Sequence, residues 1–372
     1  MNPLMLPPAP KDVGRLSNVF SSALASIGVT ATNSLRLPQV NHSLVILIDG
    51  LGYENLKSAQ GCARFLNSSP TESIRCEFPS TTATSLTGLA TGTRVAEHGV
   101  LGYSVYDRSK GLAMNLLNGW ANQSEAREYK RIPSLSEAVT SALVRVIGPA
   151  VYQDSGFTEL TMAGADYLGE DDISERLARA RKIATGKSLT YLYIPELDQL
   201  AHRFGVESQN WLNELEAIDG LIAKFALDLP AGFGVLVTAD HGVIDVPSSG
   251  QVMLDDFEWY QSAVEYTAGD PRCNFIYLRA EASLDALREH LHKNFGTDAF
   301  ICTVAELKAS GWADWTSAAA RPMAPDLVII WQSKMVGYDR RFAKVSHLKM
   351  IGQHGAISDT ETRIPLIRLG SY

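Results

Sequence analysis

Three continuous apolar runs, each followed closely by acidic or imidazole side chains, constrain the fold of this chain most. They are residues 44–48 (LVILI), 189–194 (LTYLYI) and 235–237 (VLV). Apolar runs without alternation are typical of parallel strands that are buried on both faces. Helical periodicity over residues 173–184 and about 208–227 separates these runs along the chain. Strands that alternate with helices predict an α/β fold with a doubly wound, mostly parallel sheet.

The composition is that of a globular protein, with 45% hydrophobic and 20% charged residues in a chain of 372. The net charge of -8 offers no electrostatic footprint for a nucleic-acid polymer. The first residues lack a basic segment followed by an apolar one, and no apolar run reaches membrane-spanning length. We therefore expect a cytoplasmic protein without a membrane partner.

The chain is long enough for one large domain with an insertion. We predict an N-terminal arm over residues 1–40, with one short helix near residues 17–25. The α/β core is predicted over residues 41–246 and 341–372, and an inserted α+β cap subdomain over 247–340. Within the last region, the apolar run 327–331 (LVIIW) is interpreted as the strand that returns the chain to the core.

Residues of metal-ligand type lie just after the apolar runs or beside turn glycines. Taken singly, each has a simpler explanation: a helix cap, an ordinary i,i+4 pair on a helix, or a glycine-hinged loop. Strands of a parallel sheet end at one edge, however, so these side chains are expected to converge there. Three aspartates and three histidines are too many for one tetrahedral ion and suit two. The six residues are Asp49, Asp198, His202, Asp240, His241 and His354.

Mixed carboxylate and imidazole ligands favour Zn²⁺, with Mn²⁺ or Fe²⁺ as alternatives. Two such ions suit an in-line phosphoryl displacement, which needs a nucleophile. Residues 78–86 (FPSTTATSL) offer a cluster of hydroxyls that opens a segment of helical character. One of these hydroxyls is a candidate nucleophile, and an N-cap of the following helix is the simpler alternative.

In chain order, these segments resemble the alkaline phosphatase superfamily, and within it the type I phosphodiesterase and nucleotide pyrophosphatase family. The resemblance rests on D-G-x-G-Y, F-P-S-T-T, E-H-G-V, E-L-D-x-x-x-H, D-H-G and G-x-H-G, and it runs from about residue 44 to 367. It implies an alkaline phosphatase-like core and a two-zinc site. One ion is expected at Asp198, His202 and His354, and the other at Asp49, Asp240 and His241.

The same resemblance implies a nucleophilic threonine three residues after Pro79, which is Thr82, with Thr81 as the alternative register. It also points to two substrate-binding positions at which this chain departs from nucleotide-cleaving relatives. Ala83 stands where those relatives have an aromatic residue, and Tyr103 stands where they have an asparagine. The two departures weaken the case for a nucleotide substrate more than the case for the metal chemistry.

The predicted function is metal-dependent hydrolysis of phosphodiester or pyrophosphate bonds through a phospho-threonine intermediate. The expected partner is a small phosphoester, with a nucleotide as one candidate, and a homodimer is left open. The first alternative is a phosphonoacetate hydrolase or phosphomonoesterase on the same metal core. The second is a non-catalytic protein that binds metal or ligand.

Overall fold

The computed structural model describes residues 4–11 and 13–372. The strands are β1 (His42–Ile48), β2 (Thr71–Arg75), β3 (Ser104–Asp107), β4 (Leu112–Asn115), β5 (Leu143–Gly148), β6 (Asp166–Gly169), β7 (Ser188–Ile194), β8 (Phe233–Thr238), β9 (Ile244–Asp245), β10 (Gln251–Met253), β11 (Val264–Asp270), β12 (Cys273–Leu278), β13 (Ala299–Cys302), β14 (Leu327–Trp331), β15 (Val336–Tyr338), β16 (Gly352–Gln353) and β17 (Arg363–Gly370). The helices are α1 (Ser17–Ser26), α2 (Tyr53–Ser58), α3 (Arg64–Ser68), α4 (Thr82–Thr91), α5 (Val95–His98), α6 (Gln123–Tyr129), α7 (Leu135–Ala138), α8 (Gly156–Met162), α9 (Ile173–Ile183), α10 (Glu196–Phe204), α11 (Gln209–Ala226), α12 (Glu258–Ala263), α13 (Leu284–Phe295), α14 (Val304–Ser310) and α15 (Asp359–Thr362).

The main sheet has seven strands in the order β2-β17-β8-β1-β7-β5-β6. Pairing is parallel from β8 across to β6, and β17 is antiparallel to both of its neighbours. The predicted α/β fold with a mostly parallel sheet is confirmed. All three apolar runs of the sequence form adjacent central strands, β7, β1 and β8, and their register places the strand ends side by side.

Helices bury one apolar face against this sheet. In α11 the buried residues recur at intervals of three and four, from Trp211 through Leu215, Ile218 and Ile222 to Phe225. This spacing gives a single stripe along an α-helix. The side chain of Ser208 accepts a hydrogen bond from the backbone N–H of Trp211 and caps the helix start. Helix α1, from the N-terminal segment, packs into the same core.

A second sheet has four antiparallel strands in the order β11-β12-β14-β13. The interpretation of residues 327–331 as a return to the core was wrong, because this segment is β14, inside the second sheet. Alternate side chains of β14 enter two different hydrophobic clusters, so that strand is buried on both faces and has the same continuous apolar pattern as a parallel strand. The chain returns to the main sheet through β17 instead.

The second sheet lies within residues 247–340, and the β3–β4 hairpin of the core segment packs beside it. The hydroxyl of Ser104 donates to the carbonyl of Gly269 at 3.0 Å, and the rings of Tyr106 and Tyr266 stack with centroids 4.7 Å apart. The division of the chain into arm, core and inserted subdomain stays a prediction.

Within the described residues, no helix combines the length and the apolarity that a membrane crossing requires.

Candidate active site

Three aspartates meet at the carboxyl edge of the main sheet. Asp49 directly follows β1, Asp240 comes two residues after β8, and Asp198 lies in the first turn of α10, just after β7. Their exposed fractions are 3%, 0% and 9%. Gly50, at φ 73°, has no side chain to occupy this space, and a Cβ there would lie 2.9 Å from Asp198 Oδ1. Burying three carboxylates together is costly unless something compensates their charge.

In Asp240 and in Asp49, one carboxylate oxygen accepts hydrogen bonds from neighbouring groups. Asp240 Oδ1 accepts hydrogen bonds from the backbone N–H groups of Gly50, at 3.2 Å, and His241, at 3.1 Å. Asp49 Oδ2 accepts one from the hydroxyl of Tyr193. These bonds fix the orientation of each carboxylate and direct its second oxygen into the cluster.

The third carboxylate, Asp198, has Oδ2 at 3.2 Å from Nε2 of His202, which lies one turn later on α10. In all three aspartates the remaining oxygen is buried and has no hydrogen-bond partner. A buried carboxylate oxygen without a partner is strongly destabilising, and a bound cation is a physical remedy. The three oxygens are Asp49 Oδ1, Asp198 Oδ1 and Asp240 Oδ2.

The three candidate histidines share one hydrogen-bonding pattern. Each places Nδ1 against a backbone carbonyl, which can only accept, so Nδ1 carries a proton and Nε2 is the nitrogen through which the ring can bind a cation. An imidazole whose second nitrogen donates to a carbonyl is the usual arrangement of a metal-bound histidine. The pairs are His202 with Gly352 at 2.8 Å, His241 with Gly242 at 3.2 Å and His354 with Ser80 at 2.8 Å.

Ligand atoms form two groups in which all atoms lie within 4.8 Å of one another. One group is Asp198, His241 and His354, and the other is Asp49, Asp240 and His241. The structure thus brings all three residues predicted for one ion into one group. For the other ion it brings together Asp198 and His354, while His202 lies beside them, its ring centroid 5.2 Å from that of His354.

Burial and charge crowding shift the pKa values of these groups. Burial, followed by repulsion from Asp240 and Asp198, raises the pKa of Asp49 well above its usual value. Burial also lowers the pKa of His354, and His241 adds to this effect. Burial acts against ionisation of Asp198, but attraction to His202 outweighs it and lowers the pKa of that carboxyl. The crowded carboxylates therefore favour bound positive charge.

Thr82 is the first residue of α4, and its Oγ1 lies 3.2 Å from His241 Nε2, next to the ligand cluster. The neighbouring hydroxyls are directed elsewhere. Thr81 Oγ1 donates to Asp270 Oδ1 at 3.1 Å, and Ser80 Oγ donates to the carbonyl of Ala356 at 2.8 Å. Of these three hydroxyls, that of Thr82 faces the cluster.

A cavity of about 500 Å³ opens onto the cluster. Thr82 and four of the candidate ligands form its floor, and residues 103–118 around the β3–β4 hairpin form one wall. Residues 266–271 at the end of β11 and several residues between 337 and 350 also line it. The cavity therefore lies where the main sheet, the hairpin and the second sheet meet.

The two predicted substrate-binding positions differ in their placement. Tyr103 lines the cavity, and its ring makes an edge contact with His347, with centroids 6.1 Å apart. Ala83 is fully buried in a hydrophobic cluster and is not part of the cavity lining. Its small side chain points into the core beneath α4, so it cannot contact a substrate in this cavity.

Residues 43–330 match the family model described as type I phosphodiesterase / nucleotide pyrophosphatase. The chain belongs to this family. It is therefore a hydrolase of the phosphodiesterase and nucleotide pyrophosphatase type, as the order of its motifs predicted. No curated protein sequence matched the chain.

Solved structures of two ectonucleotide pyrophosphatases / phosphodiesterases have the same fold. A murine ectonucleotide pyrophosphatase / phosphodiesterase 5, an inactive threonine-to-alanine variant in complex with AMP, is 13% identical to this chain. The alignment covers 88% of both chains with a TM-score of 0.67. The human ectonucleotide pyrophosphatase / phosphodiesterase 5 is 12% identical, with 88% and 87% coverage and a TM-score of 0.66. At this identity the likeness concerns the fold alone.

Sequence reasoning did not find two residues that shape the candidate site, Tyr193 and Asn55. The hydroxyl of Tyr193 donates a hydrogen bond to Asp49, but Tyr193 lies inside an apolar strand, where the sequence pattern indicates a core residue. Asn55 donates to the carbonyl of Val243 at 2.9 Å and accepts from its N–H at 3.0 Å, which fixes the loop after His241. No pattern in the sequence distinguishes such an asparagine from one on the surface of a helix.

Proposed function

We propose that the protein hydrolyses phosphodiester or pyrophosphate bonds at a two-metal site, through a covalent intermediate on Thr82. The observation that carries the proposal is the set of three buried, unpartnered carboxylate oxygens beside three histidines that place Nδ1 against a backbone carbonyl and leave Nε2 as the nitrogen that can bind a metal. Within the described residues the three carboxylates are paired only with histidines, and no lysine or arginine forms an ion pair with them. Family membership supports the reaction class.

The residues fit two divalent ions. Asp49, Asp240 and His241 would hold one, and Asp198, His202 and His354 would hold the other. Nitrogen and carboxylate oxygen ligands in this ratio favour zinc, with manganese or iron as alternatives. When bound, the ions would lower the pKa of the attacking hydroxyl and neutralise charge on the phosphoryl oxygens and the leaving group.

Thr82 is placed to form the new bond. Its Oγ1 would bond to phosphorus as the ester oxygen departs, and water would then cleave the threonine ester and restore the hydroxyl. Because Thr82 begins α4, the backbone N–H groups of the first helical turn lack partners within the helix and can bind the phosphoryl oxygens. Ala83 would contribute through its backbone rather than its side chain.

The charges around the cavity favour a diester over a monoester. A monoester dianion carries two negative charges, and the second needs its own cation. A diester carries a single negative charge. Among the described residues, Lys344 is the only lysine or arginine in the cavity lining, and it is exposed. The murine relative in complex with AMP supports a nucleotide derivative as one candidate substrate.

The test compares substrates on the zinc-loaded enzyme. We expect kcat/KM for bis-p-nitrophenyl phosphate to exceed that for p-nitrophenyl phosphate and for phosphonoacetate. A clear preference for either of the latter two would reject the diesterase assignment and favour the corresponding alternative. A zinc-loaded protein that turns over no phosphoester in a broad panel would point to a binding protein.

A further inference from the structure

Asp270 is a buried carboxylate at the cavity that the proposed mechanism does not use. It is the last residue of β11, it is 5% exposed, and it lines the cavity. Oδ1 accepts a hydrogen bond from Thr81 Oγ1 at 3.1 Å, and Oδ2 lies 3.4 Å from the backbone N of Tyr103. The second sheet thus contributes an acid beside the residue that precedes the nucleophile.

Protein cations do not neutralise this carboxylate. Throughout residues 4–11 and 13–372, no lysine, arginine or histidine lies within 4.0 Å of its oxygens. The nearby Arg272 is engaged by Glu361 at 2.8 Å. The two donors to Asp270 are a hydroxyl and a backbone amide, and both are neutral. The negative charge of Asp270 therefore acts on whatever binds in the cavity.

The position of Asp270 relative to the active site is well defined. Through Thr81 it adjoins the start of α4, where Thr82 would meet phosphorus. A Cβ placed on Gly355, next to the ligand His354, would lie 3.0 Å from Asp270 Cβ. The carboxylate therefore lies between Thr81, which precedes the proposed nucleophile, and Gly355, which follows the proposed ligand His354, on the side of the cavity that a phosphoryl group bound at Thr82 would face.

We propose that Asp270 is a specificity-determining residue that selects phosphodiesters by repelling the second negative charge of a phosphomonoester. This inference rests on the proposed function, because it concerns substrates of the same site. A diester has an uncharged ester group where a monoester dianion has a charged oxygen. At an effective dielectric constant of about 20, repulsion between two like charges weakens binding by roughly 100-fold at a separation of about 6 Å and by roughly 15-fold at about 10 Å. Bound cations reduce this effect, so the expected discrimination is about 10- to 100-fold.

The test is Asp270→Asn in the zinc-loaded, full-length protein at about pH 8, where the monoester is dianionic. The amide oxygen can still accept from Thr81, while the charge is removed. We expect the ratio of kcat/KM for bis-p-nitrophenyl phosphate to that for p-nitrophenyl phosphate to fall by about 10- to 100-fold. Most of this change should come from faster monoester turnover. Asp270→Glu keeps the charge and should keep the ratio high.

Asp219→Asn is the matched control. Asp219 is also a buried carboxylate with two neutral donors, the backbone N–H groups of Phe65 at 3.1 Å and Leu66 at 2.8 Å, and it lies outside the cavity. Its variant should leave the ratio unchanged. If the asparagine variant does not fold, Asp270→Ser replaces it in the test, because serine also removes the negative charge.

The outcomes separate the two proposals. If the neutral variants lose turnover of both substrates equally, or keep the wild-type ratio, Asp270 has a structural role only and the inference is overturned. If the wild type itself prefers the monoester, the proposed diesterase function fails before Asp270 is tested.

Discussion

Replacing Glu361 by glutamine should destabilise the whole candidate site, because this side chain joins the second sheet to the loop that carries the candidate ligand His354. Glu361 is fully buried and accepts from Arg272 Nε at 3.1 Å and Nη2 at 2.8 Å. It also accepts from the N–H of Ala356 at 2.9 Å, two residues after His354. Its own carbonyl accepts from the N–H of Gly242, the residue after His241, at 2.9 Å.

The magnitude follows from the charge that the substitution leaves behind. Removing one partner of a buried ion pair costs about 3–5 kcal/mol, since the other charge stays desolvated. Arg272 is only 1% exposed, so its guanidinium would stay buried without its carboxylate partner. Its Nη1 would still donate to three backbone carbonyls. We therefore expect the lower end, about 3 kcal/mol. That is a large share of the roughly 5–15 kcal/mol by which a domain is stable.

Guanidinium unfolding of the zinc-loaded protein measures this loss as a lower transition midpoint with an unchanged slope. The matched control is Arg288→Gln, which breaks the half-exposed pair with Glu306 and should cost no more than about 1 kcal/mol. The double variant Arg272→Met with Glu361→Gln should be more stable than Glu361→Gln alone, because no charge is left buried. A Glu361→Gln cost below about 1 kcal/mol, or a double variant that is no better, would refute this reasoning.

Tyr193→Phe should weaken zinc binding by about 10- to 100-fold, because it removes the hydroxyl that orients Asp49; unchanged affinity in calorimetric titration would contradict this role. A chelator should abolish hydrolysis and lower the unfolding midpoint, since three buried carboxylate oxygens lose their partners, and activity in fully metal-free protein would refute the account. Burial lowers the pKa of His98 from 6.5 to about 3, so between these two pH values the unfolded chain binds a proton at His98 and the folded protein does not. Stability should therefore fall as the pH drops below 6.5, by about 2 kcal/mol near pH 5, and His98→Gln should flatten this slope; equal slopes in chemical unfolding would exclude His98 as the cause.

The main sheet and its acidic edge could be predicted because local patterns determine them. Continuous apolar runs indicate buried parallel strands, and such strands end at one edge, so Asp49, Asp198 and Asp240 had to meet there. The i,i+4 spacing of Asp198 and His202 on α10 is equally local. The position of His354 depends on a distant loop, and it could be placed only through its resemblance to a family motif.

What the sequence could not predict depends on contacts between distant segments. Residues 327–331 have the same apolar pattern in either sheet, and only the packing of β14 between two clusters distinguishes them. Ala83 was predicted to bind substrate because it follows Thr82 in the sequence. The orientation of α4 instead buries its side chain in the core. Asp270 is about 190 residues from Thr81 along the chain and meets it only through the tertiary fold. The cytoplasmic location and the assembly state stay predictions.

Steady-state turnover by Thr82→Ala, compared with the wild type at equal zinc content, tests the central claim most directly. We predict that kcat/KM for bis-p-nitrophenyl phosphate falls by about 1,000-fold or more, while Thr82→Ser keeps measurable activity. Thr87→Ala serves as the control, because it removes a hydroxyl from the same helix that donates to the Ala83 carbonyl and lies outside the cavity. If Thr82→Ala hydrolysed the diester as fast as the wild type, a covalent intermediate on Thr82 would be excluded.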